Sequence, residues 1–276
     1  MKILRLYYLL PPKVGGMENH ILNLSRIQSE LHDVTIFFNF GNRVSTNDKK
    51  LLSFVKLYKL RPLIIGVVLF YIAIIKELLS NRTFFDVIHI HGDWSSLLFI
   101  KILKKLTGSK IVILSLHGQL SKNITHQKFL PFLIKNIDLV FSTGYDTAKE
   151  LECLSGKKIL VQPSGISEVF FEKDIEKSHM NVFRVISVVN LFPSKNVNLI
   201  LEIAKELKNY QFTIIGDGPD RERLQNEIEK NFIKNVLLVG FKSQSEIKQL
   251  HQNSDCYLLT SLAEGTPTSA LEAMAS

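Results

Sequence analysis

The sequence has few of the features that mark specialised protein classes. Its 276 residues include only two cysteines, Cys153 and Cys256, which have neither disulfide-framework nor metal-ligand spacing and fit a reducing compartment. The N-terminus has no signal-peptide pattern. The longest apolar run, residues 63–75, is shorter than the ~20 residues of a bilayer span, so we expect a buried or interfacial helix. These features predict a soluble or peripheral protein.

The composition is that of a globular protein, with 46% hydrophobic and 22% charged residues. The net charge of +8 is unevenly distributed: residues 1–170 carry 22 Lys and Arg against 12 Asp and Glu, whereas residues 171–276 carry 12 against 14. The basic residues are not interleaved with aromatic ones, so we do not expect a nucleic-acid partner. An anionic membrane surface and an anionic acceptor are equal candidates for the basic half.

Apolar β-rich runs alternate with helical patterns along the chain, which indicates an α/β protein with parallel sheets covered on both faces. The runs in the first half are residues 2–8, 34–40, 86–91, 110–117, 138–143 and 158–163, and those in the second half are 183–189, 212–216, 235–240 and 255–260. We expect one doubly wound domain over residues 1–170, a polar linker over 171–181 and a second domain over 182–276. The chain stops in a helix just begun, so we expect that second domain to be incomplete.

The turn after the first strand contains Gly15 and Gly16, where backbone amides and a helix N-terminus can approach a phosphate. A plain β–α turn explains the same residues. It is not the G-x-G-x-x-G fingerprint, and no acidic residue completes an NAD signature, so an NAD-dependent enzyme is disfavoured.

Two histidines, His91 and His117, follow neighbouring strands and are each followed by glycine, at the sheet edge where α/β proteins bind ligands. His89 is expected to lie deeper, as a hydrogen-bonded core residue. No third ligand has metal-site spacing, so we do not expect zinc.

Three turns of the second half carry candidate binding groups. Lys195 follows the first strand there and suits a phosphate, although a solvated helix-start lysine is an equal reading. Residues 216–219 predict a structural tight turn. In residues 264–272, Thr266 suits an N-cap and Pro267 the first helical position, so that the amides of Thr268 and Ser269 would face an anion. A capped surface helix is the alternative.

Taken in order, these motifs resemble retaining glycosyltransferases of family 4, which have the GT-B fold and use nucleotide-activated sugars. The last stretch is similar to that family's pair of glutamates separated by seven residues and followed by Ala-Met-Ala. The companions are Gly15-Gly16, residues 86–92, the Leu-His-Gly of strand 110–117, residues 157–165, 191–195 and 216–219, so the resemblance covers essentially the whole chain.

The resemblance implies two Rossmann-like domains facing a cleft, with the acceptor bound by the first and the donor by the second. It implies catalytic roles for His117, Glu264 and Lys195: His117 beside the sugar, Glu264 on its hydroxyls and Lys195 on the diphosphate. The implied donor-binding residues are Gly15, Gly16, Asn190, Lys195, Gly240, Phe241, Gly265, Thr266, Pro267, Thr268, Ser269 and Glu272, the last on the ribose. Asn190 stands where the family usually has Arg, which removes half of a diphosphate clamp.

The implied activity is transfer of a sugar from a UDP- or GDP-sugar to a glycan or lipid-linked acceptor with retention of configuration and without a metal or cofactor. The implied role is cell-surface polysaccharide synthesis in the cytoplasm, with possible contact to the inner face of the membrane. Two alternatives stay open: a truncated, non-catalytic nucleotide-sugar-binding relative, and a nucleotide-sugar epimerase of similar architecture.

Overall fold

The computed structural model describes residues 1–7, 16–38, 63–92, 94–117, 124–172 and 182–276. These residues form two compact units, Met1–Ser164 and Gly165–Ser276. Each unit has a parallel sheet with helices alternating between its strands, as the α/β pattern predicts. Gly15 and most of the predicted linker, residues 173–181, lie outside the described residues.

The first unit contains a six-stranded sheet in the order β2-β1-β3-β4-β5-β6. Its elements are β1 (Lys2–Tyr7), α1 (Gly16–Ser29), β2 (Asp33–Phe37), α2 (Leu63–Asn81), β3 (Val87–His91), α3 (Ile100–Thr107), β4 (Ile111–Leu116), α4 (Ile124–Ile134), β5 (Leu139–Ser142), α5 (Tyr145–Ser155) and β6 (Leu160–Val161). Every pairing is parallel. All five residues of β3 are buried because β3 lies between β1 and β4 with both faces covered.

Successive residues of the central strands enter two different cores. Leu4 and Ile88 belong to the larger core, which includes residues of α2 and α3. Ile3 and Val87 belong to the smaller core, together with Ile21 of α1. This alternation follows from the two-residue period of a strand, and it directs the odd-numbered residues of β1 and β3 towards α1.

Helix α2 extends the predicted apolar run of residues 63–75 to Asn81. Phe70, Tyr71, Ile74 and Leu78 recur at helical spacing and are buried in the larger core. This packing buries one face of α2, whereas Ile72 and Leu79 are about half exposed. Among the described helices, none is long and apolar enough to span a bilayer.

The second unit contains a four-stranded parallel sheet in the order β10-β7-β8-β9. Its elements are β7 (Phe183–Val188), α6 (Val197–Glu206), β8 (Tyr210–Ile215), α7 (Arg221–Lys230), β9 (Val236–Gly240), α8 (Gln244–Gln252), β10 (Cys256–Tyr257) and α9 (Thr268–Ala275), with short 3-10 turns at Glu168–Phe171 and Pro193–Lys195. Phe212, Ile214 and Leu224 are central to its core.

The structure divides the chain at Ser164 and Gly165, earlier than the predicted boundary at residue 170. Phe170 is fully buried, and its ring lies edge-on to that of His251 in α8. Glu172 accepts hydrogen bonds from Lys248 at 3.2 Å and, through its carbonyl, from Gln252. The predicted linker begins with Phe171 and Glu172. In the structure, Glu172 is part of the second unit, because the buried Phe170 and these two hydrogen bonds hold it there.

Gly216 allows a test of how closely the loops of the second unit are packed. Its φ is +135°, and a Cβ atom there would lie 1.9 Å from the Val189 carbonyl oxygen. Gly156 also has a positive φ, but among the described residues other than its chain neighbours no atom lies within 4 Å of its Cβ position. We expect Gly216→Ala to lower the free energy of unfolding by ~3 kcal/mol or more, and Gly156→Ala by only ~1 kcal/mol. Urea denaturation of both variants measures this; equal losses would contradict the packing argument.

Candidate functional site

The loops that follow β7 and β8 are joined by backbone hydrogen bonds. The Leu191 amide donates to the Asp217 carbonyl at 3.0 Å, and the Asp220 amide donates to the Leu191 carbonyl at 3.0 Å. A Cβ atom at Gly218 would lie 2.5 Å from that same Leu191 carbonyl oxygen. The turn bond of this loop joins the Arg221 amide to the Gly218 carbonyl at 3.1 Å, two residues later than the predicted tight turn at residues 216–219. Gly218 allows the close approach of the two backbones.

Lys195 lies at the end of the 3-10 turn that follows β7, and its ammonium contacts a carboxylate from a distant part of the chain. Its Nζ donates to Glu264 Oε1 at 2.6 Å, and about a quarter of each side chain is exposed. The Thr260 hydroxyl donates to the Lys195 carbonyl, and the Leu262 amide donates to the Ser194 carbonyl. These backbone contacts fix the loop before Glu264, so two predicted catalytic residues meet in one ion pair.

Helix α9 begins one residue later than the motif predicts. Pro267, and not Thr266, occupies the N-cap position, and its carbonyl accepts the amides of Ala270 and Leu271. The Thr268 amide donates to the Thr266 carbonyl at 2.9 Å, so it does not point outwards as predicted. The Thr268 amide is engaged by the turn that precedes the helix, and this is why it does not face outwards. Gly265 lies in the loop that precedes this turn.

Glu272 and Tyr257 form a half-buried polar group beside the start of α9. Burial raises the pKa of Glu272 to about 7, so this carboxyl titrates near neutral pH. The Tyr257 hydroxyl shares a hydrogen bond with the Ser269 hydroxyl at 2.7 Å. Burial raises the pKa of Tyr257 to about 12, and the nearby charges of Glu264 and Glu272 act in the same direction. Both glutamates of the motif therefore lie near Tyr257, a residue that the sequence reasoning did not single out.

Asn190, Gly240 and Phe241 lie after β7 and at the end of β9. Asn190 is exposed, and 58% of the Phe241 side chain is exposed. Gly240 has a φ of +78°, and the Arg221 guanidinium lies 3.2 Å from its Cβ position. Arg221 Nη1 also donates to the Gly216 carbonyl at 3.5 Å. Sequence reasoning missed this arginine, whose signal is its place at the first position of the helix after the 216–219 turn.

The first unit brings His91 and His117 together at the carboxyl ends of β3 and β4. His91 Nδ1 lies 3.1 Å from His117 Nε2, and the two rings are nearly parallel. His20 of α1 adds a third ring, with its centroid 5.5 Å from that of His117. The sequence predicted the first two residues, whereas His20 comes from the helix that Gly16 begins and was missed.

A buried arginine lies behind these histidines. Arg5 is fully buried, and its guanidinium contacts Ser25, Gln28 and His89 Nδ1. Because arginine only donates, His89 accepts at Nδ1 and donates from Nε2 to the Ser115 hydroxyl at 2.8 Å. The prediction that His89 is a hydrogen-bonded core residue is confirmed.

The pKa values of all four imidazoles lie below the usual histidine value, which favours their neutral forms at pH 7. Burial, with a smaller contribution from His20, lowers the pKa of His117 to about 4. Burial lowers the pKa of His91 and His89 well below the usual value, and the charge of Arg5 adds to the shift in both. The pKa of His20 is lowered by the same two causes. Within the described ranges, no group of three or more His, Cys, Asp or Glu side chains could hold a metal ion.

Solved structures similar to this chain have the GT-B glycosyltransferase fold. The structure of Anabaena Alr3699/HepE in complex with UDP and glucose superposes with a TM-score of 0.77 at 17% identity, over all of this chain and 78% of the other. The lipopolysaccharide outer core galactosyltransferase WaaB superposes with a TM-score of 0.68 at 20% identity, over all of this chain and 78% of the other. These similarities confirm the expected fold.

Curated relatives are similar over much of this chain but are longer. The phosphatidylinositol N-acetylglucosaminyltransferase GPI3 subunit of Saccharomyces cerevisiae is 28% identical over 95% of this chain and 63% of its own length. The Erwinia amylovora amylovoran biosynthesis glycosyltransferase AmsK is 29% identical over 69% of this chain and 51% of its own length. The chain thus spans about half to two thirds of the length of these relatives.

Two family models cover nearly the whole chain. The model described as Glycosyl transferases group 1 matches residues 168–276, and the model described as Glycosyltransferase Family 4 matches residues 14–169. The second match alone extends over more than half of the chain. The chain therefore belongs to Glycosyltransferase Family 4.

Proposed function

We propose that the chain transfers a sugar from a UDP- or GDP-sugar to a glycan or lipid-linked acceptor, with retention of anomeric configuration. The observation that carries the proposal is the Lys195–Glu264 ion pair. The carboxyl groups of Glu264 and Glu272 both lie near Tyr257. A cation for phosphates and two carboxylates for hydroxyls are thereby supplied at one edge of the second sheet. Phosphates and hydroxyls are the chemical groups that a nucleotide sugar presents.

Similar proteins support this choice of substrates. Two of the similar Anabaena structures are described as complexes with UDP and glucose and with UDP-glucose. The curated relative AmsK acts in amylovoran biosynthesis. By analogy, we place this chain in cell-surface polysaccharide synthesis, at the cytoplasmic face of the membrane. The basic charge of residues 1–170 supports a peripheral contact with anionic lipid.

In the proposed complex, Glu272 accepts hydrogen bonds from the ribose hydroxyls and Lys195 binds the diphosphate. Glu264 leaves Lys195 and turns to hydroxyls of the transferred sugar. The catalytic role of His117 remains a separate proposal. Residues 265–269, which lead into α9 and form its first two positions, add backbone groups. Gly16, Gly240 and Phe241 remain proposed donor contacts. Electrostatic stabilisation of the leaving diphosphate lowers the barrier, with no metal or cofactor, and the diphosphate takes the acceptor proton.

The decisive experiment is incubation of the full chain with UDP-glucose or a GDP-sugar and a panel of lipid-linked glycan acceptors. NMR of the product would show the same anomeric configuration as the donor. An inverted product would overturn the proposed stereochemistry. Isomerised donor formed without an acceptor would instead identify an epimerase.

Lys195→Ala tests the proposed diphosphate contact. We expect UDP binding to weaken by about ten- to a hundredfold, since a hydrogen bond to a charged group contributes ~1.5–3 kcal/mol. Isothermal titration with UDP measures the change. Lys205→Ala is the matched control, because the Lys205 ammonium pairs with the Glu227 carboxylate at 3.6 Å and neither residue belongs to the proposed site. UDP affinity that is equal in the Lys195 and Lys205 variants would refute the contact.

Glu264→Gln separates the two states of the ion pair. The substitution keeps the shape of the side chain but removes the charge that holds Lys195, so UDP affinity should rise by about threefold. Sugar transfer should fall by about a hundredfold, since the amide binds sugar hydroxyls less strongly in the transition state. Glu227→Gln breaks the Lys205 ion pair and should change neither quantity. An unchanged UDP affinity in Glu264→Gln would show that the pair does not compete with phosphate.

The raised pKa of Glu272 predicts a pH dependence of donor binding. The ionised carboxylate is the better acceptor for ribose hydroxyls, so the complex binds fewer protons than the unliganded chain and affinity rises with pH. With a pKa of about 7, UDP affinity should increase by about tenfold between pH 6 and pH 8. Glu272→Gln should lose this increase and retain only the change due to the phosphate's own titration. Parallel pH profiles for both proteins would contradict the assignment.

A further inference from the structure

The contact between His91 and His117 involves two neutral imidazoles that share one proton. His91 Nδ1 and His117 Nε2 are 3.1 Å apart, a distance at which one nitrogen donates and the other accepts. A neutral imidazole carries its proton on one nitrogen only. The direction of this single hydrogen bond therefore determines which ring nitrogen of His117 is protonated.

Two directions are chemically allowed. If His117 Nε2 donates, His117 Nδ1 is a bare acceptor and His91 carries its proton on Nε2. If His91 Nδ1 donates, His117 carries its proton on Nδ1 and His91 Nε2 is the bare nitrogen. The two arrangements present opposite hydrogen-bonding groups at His117 Nδ1.

The surroundings of His91 Nε2 favour the second direction. Only 1% of His91 is exposed, and its Nε2 is buried without a hydrogen-bond partner among the described residues. A buried N–H group without an acceptor is rarer in proteins than an under-satisfied acceptor. Leaving Nε2 unprotonated avoids an orphaned donor at this position.

The neighbouring groups also oppose a second proton on the pair. The Arg5 guanidinium lies on β1 next to β3, where it contacts His89, and its charge disfavours imidazolium at His89, His91 and His20. Ser115 is engaged by His89, and His20 packs edge-on against both rings of the pair. The pair is therefore a neutral donor and acceptor, with no carboxylate assigned to either ring by the contacts of the described residues.

We infer that His91 is a positioning residue that holds His117 in the Nδ1–H tautomer. His117 then offers a hydrogen-bond donor at Nδ1, which suits a hydroxyl oxygen of a sugar. This consequence rests on the proposed function for the position of His117 beside the sugar. The tautomer itself rests on the burial, charges and hydrogen bonds of the first unit alone.

The tautomer is measured directly by NMR of the full chain labelled with ¹⁵N-histidine at pH 7, in the absence of any donor. Long-range ¹H–¹⁵N correlation distinguishes a protonated from a bare ring nitrogen, and loss of one ring signal in His117→Gln assigns His117. We expect a protonated Nδ1 and a bare Nε2 in His117, and the same in His91. A His117 protonated at Nε2 would overturn the inference.

Substitutions at His91 test the positioning role. His91→Asn places an amide nitrogen near the position of Nδ1 and should keep the His117 tautomer, whereas His91→Gln places its amide farther along the side chain and should not. If the chain turns over UDP-glucose, His91→Gln should lower kcat for sugar release by about tenfold with little change in UDP affinity, and His91→Asn should restore most of it. Equal kcat values in the two variants, with both folded by circular dichroism, would overturn the positioning role.

The two proposals fail in distinguishable ways. If the NMR tautomer is the expected one and no nucleotide sugar binds, the proposed function fails and the His91–His117 arrangement stands. If UDP binds and the tautomer is the opposite one, only the inference about His91 fails.

Discussion

Burial of both faces of a parallel sheet is the constraint on which the rest of this structure depends. Parallel strands need crossover helices, and these helices cover the two faces, so the loops that connect strands and helices gather at the two ends of the strands. In the second unit, the loops after β7 and β8 are bonded to each other, and the loop after β10 is bonded to the turn that carries Lys195. Residues separated by 69 positions in the chain meet there as an ion pair because the sheet has no other place for its loops.

The same constraint determines the character of the first unit. The two-residue period of β1 and β3 sends Arg5 and His89 to the face that α1 covers, next to the apolar residues of the smaller core. A buried guanidinium is costly unless its donors are bonded, and here Ser25 and Gln28 of α1 and His89 of β3 accept from it. Burial still lowers the pKa of Arg5 to about 10. The helix, the charge and the histidines are therefore one connected arrangement, and the neutrality of the imidazoles follows from it.

The sequence predicted the elements well because apolar periodicity is a local signal. The observed strands lie within or close to the predicted runs, and the largest differences are the edge strands β6 and β10, which are only two residues long. Edge position alone does not explain their length, because the edge strands β2 and β9 have five residues each. Spacing could not predict the cap of α9, since the choice between Thr266 and Pro267 depends on a turn bond between Thr268 and Thr266. Nor could it single out Arg5 or His20, which have ordinary sequence contexts and acquire their roles only through contacts with residues from other elements. The resemblance named the polar residues at strand ends, but the Lys195–Glu264 contact and the shifted pKa of Glu272 are properties of the folded chain.

The Lys195–Glu264 ion pair has a consequence for the end of a catalytic cycle. A strong cation that binds a diphosphate would also retain the nucleoside diphosphate after transfer, and slow product departure limits the rate of many enzymes. Glu264 is held within reach of Lys195 by the bonds of its own loop, so it competes for the ammonium as soon as the sugar has gone. In the proposed cycle, the Glu264 carboxylate that binds the sugar therefore also promotes release of the nucleoside diphosphate. Turnover then benefits from the Lys195–Glu264 ion pair, although the same pair weakens binding of the donor.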